Sequence, residues 1–239
     1  MKHYKAIFLD WDDTIGDWST AERKALHDIY RQYHLNDLYA SADDFIAAYT
    51  PYNLSLWAKY GRGEVTKAYL HRQRFLHTLE PVCATEFRSR SKGDLALEMG
   101  DEFLRLTNRY FSLLPDAAEV VGALALKYPL TIISNGFKEL QYYKFEHSGL
   151  RKFFAHTIIS EEVGVNKPQP EIFRIALRLN GLKAEDAVMV GDSYSSDIAG
   201  AKAADIDQIW IHAGESDESA TFIIPKLRDI MSIGGIITG

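Results

Sequence analysis

A single cysteine, Cys83, occurs in 239 residues. That excludes an internal disulfide and a cysteine metal cluster, and it suits a reducing, cytoplasmic setting. Cys83 as a nucleophile competes with the plainer reading of a buried or incidental thiol. No window approaches the ~20 apolar residues that a membrane helix needs. The opening MKHYKAIFLD carries no apolar stretch of signal-peptide length, so the chain is expected to stay where it is made, off the membrane. Positive charge is also short. The 27 Lys and Arg against 33 Asp and Glu leave a net −6, which argues against a nucleic-acid polymer as partner. There is no internal repeat and no low-complexity tract. What is present is a chain 46% hydrophobic and 12% aromatic, enough for one large domain or a domain with an insert. Such an acidic chain can bind phosphate only where the site brings its own positive charge.

The apolar run Tyr4–Leu9 reads as a buried strand with Asp10 at its carboxyl end. From Pro115 onward, strands and helices alternate. Strands are expected at Pro129–Ser134, Ala155–Ser160, Ala187–Val190 and Gln208–Ile211. Helices are expected at Asp116–Tyr128, Lys138–His147, Glu171–Asn180, Asp197–Ala204 and Pro225–Met231, with Gly181 closing the third. That alternation implies right-handed crossovers and a parallel α/β sheet, doubly wound. Between Asp17 and Leu114 no strand is legible. Ala21, Ala25, Leu26, Ile29, Tyr30 and Tyr33 recur at helical spacing, with Ser19 or Thr20 as a possible cap. Ser41–Tyr49, capped by Ser41 or Asp43, Val65–Leu79 and Leu95–Leu113 also read as helices, and polar Thr85–Gly93 as a loop. The expected organisation is therefore a core of residues 1–16 and 115–239 with an all-helical insert, 17–114. The Gly-rich tail Ser232–Gly239 has no clear assignment.

Unusual residues stand after four strands, where open parallel sheets bind ligands. Asp10-Trp11-Asp12-Asp13-Thr14 sets two carboxylates two residues apart, suited to a nucleophile and a general acid and base, or else to a solvated acidic turn. Ser134-Asn135-Gly136 offers a hydroxyl and amides to a phosphate oxygen, or is a plain β–α turn. Lys167 precedes two nearby prolines, Pro168 and Pro170, and can neutralise an anion amid acids; a surface lysine is the alternative. Asp192 and Asp197 follow the next strand, and Asp197 could simply cap a helix. Hard oxygen ligands of this kind suit Mg²⁺, and Asp10, Asp12 and Asp192 need a cation to sit together near phosphate.

The set D-x-D-x-T, S-N-G, K-P and G-D-(x)4-D, in this order across the whole chain, resembles the four motifs of the haloacid dehalogenase (HAD) superfamily. The resemblance implies a magnesium-dependent phosphatase with a helical cap as the insert. Asp10 would attack phosphorus and Asp12 would protonate the leaving oxygen, then activate water. Trp11, Ser134, Asn135 and Lys167 would bind phosphate. Asp10, the Asp12 carbonyl and Asp192 would bind Mg²⁺, with Thr14 and Asp197 in support. Hydrolytic dehalogenases of this superfamily lack the second acid of the first motif, because no leaving oxygen needs a proton; here Asp12 is present.

The runs Ile133–Gln141, Ser148–Arg151 and Ile159–Pro170, and more loosely Asn53–Gly63, are similar to the YjjG/YfnB-type branch. That branch includes pyrimidine nucleoside 5′-monophosphatases, and a related one N-acylneuraminate-9-phosphatase. A small phosphorylated metabolite, a nucleoside 5′-monophosphate first, is thus the expected substrate. Trp57 or Tyr60 would stack on a base, and Arg62 or Arg72 would reach the substrate. Trp11, bulky for its place, and the polar segment Thr85–Gly93 depart from the pattern and would alter pocket shape. Alternatives are a sugar phosphate or sialic acid phosphate as substrate, a phosphomutase, a dehalogenase, or an idle fold that binds a phosphorylated ligand. The sequence leaves the oligomeric state open.

Overall fold

The computed structural model describes residues 3–80, 86–87 and 90–234; Cys83 and the last five residues of the tail lie outside them. The chain forms two compact units, Met1–Asp17 with Ser112–Gly239, and Trp18–Phe111.

Strand β1 (Ala6–Leu9) opens the first unit and is wholly buried. The chain then enters the second unit as α1 (Trp18–Gln32), α2 (Ala42–Gly61), α3 (Lys67–Leu76), the short strands β2 (Glu86–Phe87) and β3 (Arg90–Ser91), and α4 (Lys92–Arg109). Ala25, Leu26 and Ile29 of α1 meet Phe45 and Tyr49 of α2, Phe75 of α3, and Met99, Phe103 and Leu106 of α4 in one core. Three expectations change here. The insert is not all-helical, because β2 and β3 pair antiparallel inside the expected loop Thr85–Gly93. Two residues per strand are too few to leave a period-two pattern. Ser19 and Thr20 do not cap α1, since the helix already includes Trp18. Helix α2 runs twelve residues beyond Tyr49, through Pro51.

Ser41 does cap α2, its Oγ accepting from the Asp44 amide at 3.1 Å. Ser41→Ala is expected to destabilise the chain by about 1 kcal/mol in urea unfolding, with Asp43 unable to take over the cap from inside the first turn.

Back in the first unit come α5 (Ala117–Ala125), β4 (Leu130–Ser134), α6 (Lys138–His147), β5 (Phe154–Ile159), α7 (Ser160–Val163), α8 (Pro170–Asn180), β6 (Ala187–Gly191), α9 (Ala199–Ala203), β7 (Asp207–Ile211) and β8 (Phe222–Ile224). A 3₁₀ turn, Leu227–Ser232, stands where Pro225–Met231 was expected to be helical. The six strands form one sheet in the order β5-β4-β1-β6-β7-β8, every pair parallel. The chain thus winds outward from β1 in both directions, the doubly wound arrangement expected from the alternation. The mostly apolar, fully buried strands β1, β4 and β6 suit a sheet covered on both faces. On one face Ala6, Phe8, Ala187 and Met189 pack with Ile172, Phe173 and Ala176 of α8 and Ala201 of α9. Strand β8 was not foreseen; only Ile224 of its three residues is buried, as befits an edge.

Register positions the site. Leu9 lies opposite both Ile132 of β4 and Val190 of β6. Asp10, Ser134 and Asp192 therefore leave the sheet from adjacent strands, around the place where the winding reverses.

Candidate active site

The loop after β1 turns tightly. The Trp11 carbonyl accepts from the amides of Ile15 and Gly16, both at 2.8 Å, and Asp13 takes the left-handed conformation at φ 59°. Aspartate tolerates that region better than most residues. The turn brings buried Thr14 to Asp192, with its Oγ1 3.4 Å from Oδ1.

Lys167 sits at the centre of the acids. Its Nζ lies 2.5 Å from Asp10 Oδ1 and 2.7 Å from Asp197 Oδ1. All three side chains are buried. The Asn135 amide holds the lysine's backbone twice, donating to the Lys167 carbonyl at 2.8 Å and accepting from its N–H at 2.9 Å. Asn135 thereby positions Lys167, a role that the sequence reading did not separate from phosphate contact. Ser134 Oγ accepts from the Gly136 amide at 3.1 Å.

Asp197 does not cap a helix. It lies within a π-helical turn, Tyr194–Ile198, leading into α9, and turns back to accept from the Ser193 amide at 3.1 Å. Single π-turns of this kind recur at functional sites. Gly191 makes room for it: a Cβ there would lie 2.3 Å from Asp197 Oδ2. Asp192 stays nearby, its carbonyl bonded to Trp210 Nε1 at 2.8 Å.

The charges do not balance. Burial pushes the Asp10 carboxyl well above its usual range, Lys167 opposes this, and Asp197 and Asp192 add to it. Burial also pushes Asp192 up, to about 7, with Asp197 and Asp13 acting in the same direction. Burial disfavours the Lys167 ammonium, but Asp10 and Asp197 outweigh that and raise it above an ordinary lysine. One lysine serves three acids. Asp10, Asp192 and Asp197 offer carboxylate oxygens within 4.8 Å of one another, a donor set fit for a hard cation.

Asp12 has different partners. Lys144 Nζ lies 2.5 Å from its Oδ1, and Gln141 Nε2 donates to its Oδ2 at 2.8 Å. Sequence reading missed both residues. The available signal was a polar pair at i and i+3 on α6, beside apolar Leu140 and Phe145 on the same buried face.

Trp11 requires a correction. Its indole is fully buried against Phe145 at 4.7 Å and Phe154 at 6.0 Å, so it fills core and does not shape a pocket. Only its main chain remains for an anion. Within the helical unit, Tyr60 is buried, with Trp57 edge-on at 5.6 Å, so its ring packs inside that unit instead of standing free to stack. Arg62 is exposed and pairs with Glu64 at 2.5 Å, and Arg72 is exposed. Among the described residues of this unit the buried arginine is Arg74, 5.9 Å from the Trp57 ring and 5.4 Å from that of Phe103.

Acid-lined strand ends on an open parallel sheet define an α/β protein with a candidate active site. A model of the haloacid dehalogenase-like hydrolases matches residues 4–205, and the chain belongs to that family. It is 29% identical to the HAD-hydrolase YfnB of Bacillus subtilis, over 98% of this chain and 96% of that one. The solved structure of YfnB, bound to magnesium and revealing interdomain movement, matches with a TM-score of 0.83 at 27% identity, covering 97% and 98% of the two chains. Pyrimidine 5′-nucleotidase YjjG of Escherichia coli is 30% identical over 94% of this chain and 95% of its own. Phosphoserine phosphatase of Thermus thermophilus is also 30% identical, over 95% and 97%.

Proposed function

We propose that this enzyme is a magnesium-dependent phosphomonoester hydrolase working through an aspartyl phosphate on Asp10. The observation that carries the reading is the contrast between two carboxylates two residues apart. Asp10 is buried against Lys167 among acids, and Asp12 is held separately by Gln141 and Lys144. One is placed to attack and the other to move a proton.

In the first half, an Asp10 oxygen bonds to phosphorus as the bond to the leaving oxygen breaks, and Asp12 gives that oxygen its proton. In the second half, Asp12 takes a proton from water, whose oxygen bonds to phosphorus and releases Asp10. Lys167 and Ser134, with amides of the loop after β1, hold the phosphoryl oxygens; Asn135 and Asp197 hold Lys167. Asp10, Asp192 and the Asp12 carbonyl would hold Mg²⁺, with Asp197 beside them. When bound, the ion supplies positive charge for the phosphoryl oxygens, which phosphoryl transfer needs more than covalent assistance.

For the substrate we infer a nucleoside 5′-monophosphate, pyrimidine preferred, supported by the likeness to YjjG. Equal identity to a phosphoserine phosphatase requires a broad test. The helical unit, residues 18–111, keeps the role that the family resemblance gives a cap, choice of the phosphate-bearing molecule. Phosphate release should be followed on nucleoside monophosphates, phosphoserine, sugar phosphates and a sialic acid 9-phosphate. UMP, dUMP or dTMP is expected to lead, and EDTA to cut the rate more than about 10²-fold, restored by Mg²⁺. Release untouched by EDTA would overturn the metal requirement, and a flat profile the nucleotide preference.

A further inference from the structure

We propose that Gln141 and Lys144 are positioning residues that aim Asp12 at the leaving-group oxygen; this rests on Asp12 acting as the proton donor. Both oxygens of the Asp12 carboxyl group are engaged as acceptors, Oδ1 by Lys144 at 2.5 Å and Oδ2 by Gln141 at 2.8 Å, and each keeps a second lone pair, on which the proton that Asp12 gives is carried. A carboxylate held at one oxygen still rotates about its side-chain bonds. One held at both has its plane fixed, and proton transfer needs that direction to be right.

The arrangement is built, not incidental. Lys144 and Gln141 are 2% and 1% exposed, whereas the Asp12 side chain keeps 28% of its surface open. A buried lysine is costly beside an apolar residue of similar size, so its presence calls for a reason other than packing. The Gln141 amide turns its nitrogen to Asp12 although its Oε1 then finds no hydrogen-bond partner among the described residues. Gly136 leaves the space, since a Cβ there would lie 1.9 Å from Gln141 Nε2. The backing is stiff as well. Phe145, next to Lys144, packs edge-on against Trp11, next to Asp12. The bulky tryptophan of the first motif thus ties the catalytic loop to the helix that carries both donors.

The test is leaving-group dependence. kcat/KM runs only to departure of the leaving group, so it isolates the step in which Asp12 gives its proton. An alkyl phosphomonoester, the best from the panel above, needs that proton; p-nitrophenyl phosphate, with a phenolate leaving group of low basicity, hardly does. Lys144→Met and Gln141→Leu are each to be measured on both compounds, with thermal unfolding alongside. Lys144→Met is expected to lower kcat/KM for the alkyl ester about 10²-fold and for p-nitrophenyl phosphate under about threefold. Gln141→Leu, the gentler change, is expected to shift the same ratio by about tenfold. Equal losses on both compounds, or none on either, would overturn the proposal and leave a structural pair. Asp10→Asn in the same assay separates this from the parent reading: a variant at position 10 that keeps more than about a tenth of the wild-type rate sinks the aspartyl phosphate itself.

Discussion

Asp10→Asn is expected to lower phosphate release by about 10⁴-fold or more in kcat while the protein stays folded. The amide matches the carboxylate in shape but cannot form the covalent intermediate. Stability should hold or rise. Asp10 is buried beside two other acids, and burial already works against its charge. Lys167 keeps its second partner, Asp197, at 2.7 Å. Activity loss with an unchanged or higher melting temperature therefore marks a chemical role. Acid-quenched wild-type enzyme should show a phosphoryl adduct on the peptide containing Asp10, and the variant none. More than a tenth of the wild-type rate in the variant would contradict the nucleophile assignment.

Lys167→Met is expected to cost both activity and fold, with a destabilisation of about 3 kcal/mol or more in urea unfolding. The reason is asymmetric. The buried pair contributes little net stability as a unit, but removing its cation strands Asp10 and Asp197 in the interior. The check is a second substitution. Asp197→Asn in the Lys167→Met background should regain about 1–2 kcal/mol, because it removes one stranded charge. Mg²⁺ should raise the melting temperature of Lys167→Met more than that of wild type, since the ion is then the sole counter-charge. A double variant as unstable as the sum of its parts would show that the loss came from packing.

The order of elements in the first unit was largely legible, because each strand of the sheet's centre is a short, mostly apolar run bounded by turn residues. Lys138–His147 agrees to the residue with α6, and Gly181 closes α8 in the left-handed conformation at φ 64°. Edges were less legible. β8 carries a single buried residue, and the pairing of β2 with β3 rests on two residues each. Patterns that short fall below any period.

The sequence by itself determined which acids and which hydroxyl stand at strand ends, since these are local facts of a buried run meeting a polar residue; Lys167 stands beyond α7, in the turn before α8. It also determined the sign of the problem, an acidic chain in which any phosphate site would have to bring its own positive charge. Only the tertiary structure decided how the cations are shared. Lys167 lies 157 residues from Asp10 and Lys144 lies 132 from Asp12, so no spacing along the chain assigns either lysine to its acid. Asn135, just past β4, holds the Lys167 backbone, and α6, which follows β4, carries Lys144; the pairing of β4 with β1 sets both beside the loop after β1. Burial then enforces the assignment, because charges taken out of water must find a partner within reach.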